Sequence, residues 1–263
     1  MEFKDQMNRV FEIPETPKRI ISLVPSQTEL LVDLGLEDSI VGVTKFCIHP
    51  SDLRKKKTIV GGTKNIKIDK IKALKPDIIL CNKEENTKEI VEACKQIATT
   101  HVSDIFTLDD SKELIIQYGE ILSCKTAAEN IVKKLDIEIS NFQQFIKNTK
   151  EKKVAYFIWR NPWMVAGNNT FINHLLELNN FKNIYSNKQR YPEINLDKIN
   201  KNDTLDFILL SSEPYPFKEK HISEISNYYK NSQTILVDGE MFSWYGSRLL
   251  KAFDYFIQLH RSI

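Results

Sequence analysis

The sequence predicts an α/β protein made of two Rossmann-like lobes, each a parallel-sheet α/β unit, joined by one long rigid α-helix. Three observations predict it. Short β-rich runs alternate with helical segments on both sides of the middle of the chain, the pattern of βαβ units around parallel sheets. Between them, positions 126–149 contain no Gly or Pro, and Ile131, Leu135, Ile139, Phe142 and Ile146 recur at helical spacing. A helix of that length spans roughly 36 Å, the width of a small domain. Finally, Ile68-Asp69-Lys70-Ile71 followed by Pro76-Asp77-Ile78-Ile79-Leu80 resembles Leu196-Asp197-Lys198-Ile199 followed by Leu205-Asp206-Phe207-Ile208-Leu209, one copy per half. The expected boundaries are 1–123 for the N-terminal lobe, 124–150 for the connecting helix and 151–263 for the C-terminal lobe.

Taken in order, Arg19–Leu23 reads as a buried strand. Ser26-Gln27-Thr28-Glu29 fits a capping box opening a helix through Leu30, Leu31 and Leu34, with Gly35 as its stop. Ile40–Val43 is the second strand. Asp69–Leu74 is a short helix ended by Pro76, Asp77–Cys81 the third strand, Asn86–Ile97 a helix, and Thr100–Val102 the fourth strand. After the central helix come strand Val154–Ile158, helix Thr170–Asn179, strand Asp206–Ser211, helix Phe217–Lys230, strand Thr234–Val237 and a last helix to about His260.

The 263 residues are 41% hydrophobic and 27% charged, an ordinary globular composition, and 37 basic against 35 acidic residues leave a formal charge of +2. That balance argues against nucleic acid as a partner. No apolar run reaches the roughly 18 residues that a membrane span needs. The first residues, Met1-Glu2-Phe3-Lys4-Asp5-Gln6, carry no apolar signal stretch, so the chain as written is expected in the cytoplasm, or outside it if a signal has been removed. Cys47, Cys81, Cys94 and Cys124 show no metal or redox spacing, and Cys81 and Cys94 read as core fillers. G-x-G-x-x-G, the P-loop, G-x-S-x-G and H-E-x-x-H are all missing, which argues against an enzyme.

Aromatic and polar residues concentrate in the loops that leave strands. Trp159-Arg160-Asn161-Pro162-Trp163 follows one strand, Arg190-Tyr191-Pro192 lies in a second loop, and a third, Asp238–Arg248, contains Phe242, Trp244 and Arg248. In open α/β sheets ligands bind outside the carboxyl ends of strands, so such loops suit a flat, rigid recognition face; packing within the core is the alternative for each ring. Lys45-Phe46-Cys47-Ile48-His49 is the counterpart in the first half, where His49 or Cys47 offers one axial donor to a chelate that brings its own metal. Two donors alone do not make a protein-held metal site.

Arg19-Ile20-Ile21-Ser22-Leu23-Val24-Pro25-Ser26-Gln27-Thr28-Glu29-Leu30-Leu31, Val41-Gly42-Val43 and Ile71-Lys72-Ala73-Leu74-Lys75-Pro76-Asp77-Ile78-Ile79 resemble the N-terminal lobe of the vitamin B12-binding proteins of ABC importers. Tyr191-Pro192-Glu193-Ile194 and Ser247-Arg248 match C-terminal landmarks of the same group. These are helical-backbone (class III) substrate-binding proteins, which also take ferric siderophores and haem. The resemblance implies two α/β lobes on one long helix, with a ligand clamped between the lobes. It implies ligand contacts from Tyr191 and Arg248, from Phe46, Cys47 and His49, and from the Trp159–Trp163 loop. Gly62-Thr63 stand where the cobalamin binder has a tryptophan, giving a thinner wall at Thr63.

Asp69 and Asp197 align with two acidic residues, one per lobe, that meet arginines of the importer's membrane subunits; helix capping is their alternative reading. The expected function is therefore binding of a metal chelate (a corrinoid, ferric siderophore or haem) and its delivery to a membrane permease. Lys45, Arg190 and Arg248 would meet the ligand's polar edge. A monomer without a resident cofactor is expected. A cytoplasmic chelate carrier or sensor is the second reading. A cleft enzyme using Glu240, His49 or Cys47 is the third.

Overall fold

The computed structural model describes residues 1–198 and 205–263, and the chain divides into two compact units, Met1–Asp136 with Trp244–Leu250, and Ile137–Ser243 with Lys251–Ile263. The first opens with an antiparallel pair, β1 (Glu2–Lys4) and β2 (Val10–Glu12). It continues through β3 (Ile20–Ser22), α1 (Pro25–Asp33), β4 (Ile40–Val43), α2 (Leu53–Lys56), β5 (Thr58–Ile59), α3 (Ile68–Ala73), β6 (Ile78–Asn82), α4 (Lys88–Lys95), β7 (Thr99–Ser103) and α5 (Leu108–Ile121). Strands β5-β4-β3-β6-β7 form one wholly parallel sheet. Every residue of β6 is buried, as expected for a strand covered on both faces. Ile21, Leu23, Val60, Ile71, Ile79, Cys81, Ile90 and Cys94 build one core, in which the two cysteines sit as small apolar fillers.

Helix α6 (Lys125–Ile146) follows. The second unit comprises β8 (Lys152–Trp159), β9 (Met164–Val165), α7 (Phe171–Leu178), β10 (Phe181–Asn183), β11 (Phe207–Ser211), α8 (Glu219–Ser226), β12 (Gln233–Val237), α9 (Gly239–Ser243) and most of α10 (Leu249–Ser262). Its sheet runs β10-β8-β11-β12 in parallel, with β9 antiparallel to β8. Phe157, Ile208, Leu210, Phe217 and Ile225 are buried together on one side. On the other side Tyr156, Phe242, Phe253 and Phe256 are fully buried.

Several local expectations are corrected. The unit boundary falls inside α6, between Asp136 and Ile137. The apolar stripe explains this: Ala128, Ile131 and Leu135 are buried in the first part, and Phe142 packs on Phe253 and Phe256 of the second unit. Segment 244–250, expected in the C-terminal lobe, belongs to the first unit. The Ser26–Glu29 stretch is not a capping box, because α1 begins at Pro25 behind Val24, which makes no side-chain cap. The Thr28 hydroxyl instead donates to the Val24 carbonyl at 2.9 Å, and Glu29 is held by Arg248. A capping box does open α5, where the Thr107 hydroxyl accepts from the Asp110 amide at 3.2 Å and Asp110 accepts from the Thr107 amide at 2.8 Å.

Gly35, at φ +82°, ends α1 as expected. Leu196–Lys198 is a single 3-10 turn; Ile199, which the internal repeat includes, lies outside the described residues. Among the described residues no helix is long and apolar enough to cross a membrane.

Candidate functional site

In the first unit the loops beyond the carboxyl ends of β4, β5 and β6 form a connected surface. The loop after β4 is pinned to the loop after β5, since the Lys45 amide donates to the Gly61 carbonyl at 2.8 Å. Gly61 has φ +128°, and a Cβ there would press on the Asn65 carbonyl, so the turn requires glycine. Phe46 is 47% exposed, with the Lys45 ammonium 4.9 Å above its ring. Its ring edge lies against Gly62, and the neighbouring Thr63 is nearly covered.

Cys47 points the other way. It is fully buried, its sulfur hydrogen-bonds the hydroxyls of Thr28 and Thr44 at 3.1 and 3.2 Å, and burial pushes the thiol up. The expectation of Cys47 as an axial donor is corrected on that ground, and His49 alone remains. The His49 ring stands edge-on to Trp244 at 5.4 Å, and the Arg248 guanidinium lies 5.1 Å from the same indole. Arg248 is 5% exposed and donates from Nε to the Glu29 carboxylate at 2.8 Å.

A layer of amides and hydroxyls supports this surface. The Gln27 side-chain amide donates to Ser103 Oγ at 2.6 Å and to the Tyr245 hydroxyl at 2.9 Å, and the Tyr118 hydroxyl donates to Gln27 Oε1 at 2.8 Å. Asn82, the last residue of β6, accepts from the amides of Glu84 and Glu85 at 2.8 and 3.1 Å. Asn86 donates to the Thr63 carbonyl at 3.0 Å and ties the two loops together. Lys64 donates to the Glu84 carbonyl at 2.6 Å. Sequence reasoning did not single out Tyr245, whose hydroxyl joins this layer through Gln27.

In the second unit Trp159, the last residue of β8, is 38% exposed and meets Tyr215 edge-on at 5.7 Å. Asn161 is exposed at φ 63°. Trp163 turns back into the unit, stacked on Phe217 at 5.9 Å and edge-on to Phe157 at 5.7 Å. Arg160 lies 5.8 Å from Trp163 and makes a two-pronged contact with Glu224 at 2.8 and 2.9 Å. Arg190 and Tyr191 are half-buried, 6.0 Å apart from guanidinium to ring, in a loop joined to Gly167 and Asn168 by backbone bonds of 2.7 and 2.8 Å. Phe242 is corrected as a ligand contact: it has no exposed surface and packs on Tyr156 at 5.2 Å and Phe256 at 4.8 Å.

Asp69 and Asp197 are both exposed. Asp69 lies in the first turn of α3 behind Lys67, so it is inside the helix rather than its cap. Asp197 lies in the 3-10 turn. Among the described residues no three His, Cys, Asp or Glu side chains come together to hold a metal ion.

Against known proteins, a family model described as periplasmic binding protein matches residues 20–230. The chain is 26% identical over 262 residues to the uncharacterized ABC transporter substrate-binding lipoprotein YvrC of Bacillus subtilis (strain 168), covering 95% of this chain and 82% of that protein. In fold it is similar to the periplasmic vitamin B12 binding protein of Vibrio cholerae, with a TM-score of 0.79 at 18% identity over 95% of this chain and 100% of that one. The periplasmic heme-binding protein of Roseiflexus sp. RS-1 gives a TM-score of 0.79 at 17% identity over 93% and 98%.

Proposed function

The chain belongs to the periplasmic binding protein family, and from that premise we propose that it binds a metal chelate, a corrinoid, haem or ferric siderophore, and delivers it to the permease of an ABC importer. The observation that carries this reading is the exposure of large apolar rings at the carboxyl ends of parallel strands in both units: Phe46 at 47% beyond β4 and Trp159 at 38% ending β8. Each ring is braced from behind, Phe46 by Gly62 and Trp159 by Tyr215. Braced aromatic faces offer contact area at little entropy cost, which suits a broad, flat ligand.

The role is capture rather than turnover, as with the binding proteins it resembles. Lys45, His49, Asn161, Arg190 and Tyr191 supply polar groups around the rings. His49 is proposed as the axial donor to a chelated metal, and its edge-on contact with Trp244 supports a fixed ring orientation. Asp69 and Asp197 are proposed to meet basic side chains of the permease; exposed ion pairs of this kind contribute little individually and act by charge complementarity.

The test is equilibrium titration with cyanocobalamin, dicyanocobinamide, haemin and ferric hydroxamate and catecholate siderophores, followed by calorimetry and tryptophan quenching. Binding of at least one at micromolar protein, with quenching lost in a Trp159→Phe variant, is the expected result. No signal with any of the five overturns the reading.

A further inference from the structure

We propose that Tyr215 is a ligand-contact residue of the second unit, donating its hydroxyl hydrogen to an oxygen acceptor, a carboxylate or amide carbonyl, on the edge of the bound chelate, and that His221 sets the direction of that hydroxyl. The inference rests on the binding function above and adds to it a polar contact beside Trp159.

Tyr215 lies in the loop after β11, beyond the carboxyl end of the strand that neighbours β8. Its amide donates to the Ile158 carbonyl at 3.3 Å, which ties the loop to β8, and the Phe217 amide donates to the Tyr215 carbonyl at 2.9 Å. The ring is fixed as well as the backbone. It stands edge-on to Trp159 at 5.7 Å, to Phe217 at 4.8 Å and to His221 at 5.5 Å. The half-buried phenol and the exposed indole of Trp159 therefore make one aromatic corner. A rigid corner of this kind holds a polar tip in place at little entropy cost.

The direction of the hydroxyl follows from a backbone amide. The Lys218 N–H can only donate, and it meets His221 Nδ1 at 2.8 Å, so Nδ1 offers its lone pair. The neutral imidazole then carries its hydrogen on Nε2, 3.2 Å from the Tyr215 oxygen, and donates it there. A second proton, on Nδ1, would break the Lys218 bond. Burial, with the cations of Lys220 and Arg160 nearby, also lowers the imidazole from its ordinary value against the pull of Glu224. Tyr215 is thus the acceptor in its bond with His221, and its own hydrogen has no acceptor among the described residues. Glu224, one turn further along α8, is turned to Arg160 at 2.8 and 2.9 Å. A ligand seated on Trp159 displaces water from this corner and must bring an acceptor for the hydroxyl, or leave it unsatisfied.

The experiment measures affinity by calorimetry for cyanocobalamin, dicyanocobinamide and haemin, with the wild-type chain, Tyr215→Phe, His221→Phe and the double variant, each checked by thermal melting. Phenylalanine at 215 keeps the ring beside Trp159 and removes only the hydroxyl. Expected is a loss of about tenfold in Tyr215→Phe, the value of one hydrogen bond. His221→Phe should weaken binding when Tyr215 is present and add nothing in the Tyr215→Phe background, since it acts through that hydroxyl. Tyr215→3-fluorotyrosine, a stronger donor and weaker acceptor, should tighten binding at pH 6, where both phenols are protonated. Wild-type affinity in Tyr215→Phe overturns the role of Tyr215 alone. Additive losses in the double variant, or weaker binding with the fluorinated ring, overturn the donor direction set by His221. No binding by the wild-type chain overturns the chelate reading and this inference with it.

Discussion

The Glu29–Arg248 pair provides the sharpest energetic test of how the first unit is assembled. Both side chains are 5% exposed, and Nε meets Oε2 at 2.8 Å. The pair joins α1 to residues some 219 positions later in the sequence and holds Trp244 and Tyr245 in the first unit. Unit charges near 3 Å attract by about 6 kcal/mol at an effective dielectric of 20, and the cost of taking both from water offsets much of it. Removing one partner is different, because the other charge stays buried without this counter-charge.

Glu29→Met or Arg248→Met should therefore each cost about 3–5 kcal/mol, a fall in melting temperature of about 6–20 °C for a protein of this size. The double variant Glu29→Met/Arg248→Met replaces ions by apolar groups of similar length and should lie within about 2 kcal/mol of wild type. Urea unfolding followed by circular dichroism reads all four proteins of the cycle. A single-variant cost under about 1 kcal/mol, or a double variant less stable than either single, refutes the claim that this pair locks the segment. The folded double variant also separates roles: if Arg248 touches ligand as well, its affinity drops while stability is retained.

Three further outcomes are expected. His101 is fully buried, with Nε2 3.1 Å from Gln117 Oε1, and burial lowers it to about 4 from 6.5. A histidine with a depressed folded-state value stabilises above its unfolded value and loses that contribution as pH falls from 6.5 towards 4. Wild type should therefore lose about 2–3 kcal/mol between pH 7 and pH 4.5 that a His101→Leu variant does not lose, as read by urea midpoints. Trp159→Ala should weaken ligand binding by about tenfold with little change in melting temperature, whereas Trp163→Ala should cost about 3–5 kcal/mol of stability, since it removes a ring packed on Phe217 and Phe157. Asp69→Lys and Asp197→Lys together should leave ligand affinity unchanged and abolish ligand-dependent stimulation of the importer's ATPase in proteoliposomes. Unchanged stimulation would remove the docking role.

The fold was legible where burial is complete on both faces of a strand. Ile78–Asn82 and Phe207–Ser211 are buried at every position and read directly as apolar runs. The long helix was legible because nothing interrupts its period. The hairpin of β1 and β2 and the two- and three-residue strands β5, β9 and β10 were missed, since so few residues establish no period. The helix at Leu108–Ile121 was also missed, although it opens on a box at Thr107 and Asp110 of the pattern wrongly read at Ser26–Glu29. Spacing alone does not distinguish the two. Whether a glutamate reaches back to its own helix or across to Arg248 is decided by a residue far away in sequence.

The site shows the same division between position and direction. Where the strand-end loops lie was legible, because their position follows from the alternation of elements. Which way each side chain turns does not follow from it. Cys47 and Phe46 are neighbours, yet one thiol is sealed under two hydroxyls while the adjacent ring is half in water. Trp159 and Trp163 leave the same strand, and only the second finds a ring to stack on. In each loop one member packs inward, Cys47 buried and Trp163 half-buried, and an exposed one is left facing outward. That pairing lets a loop carry an apolar group in water without collapsing onto it. The anchor and the face are thus separate residues, and on the proposed reading their costs separate too: stability at Cys47 and Trp163, affinity at Phe46 and Trp159.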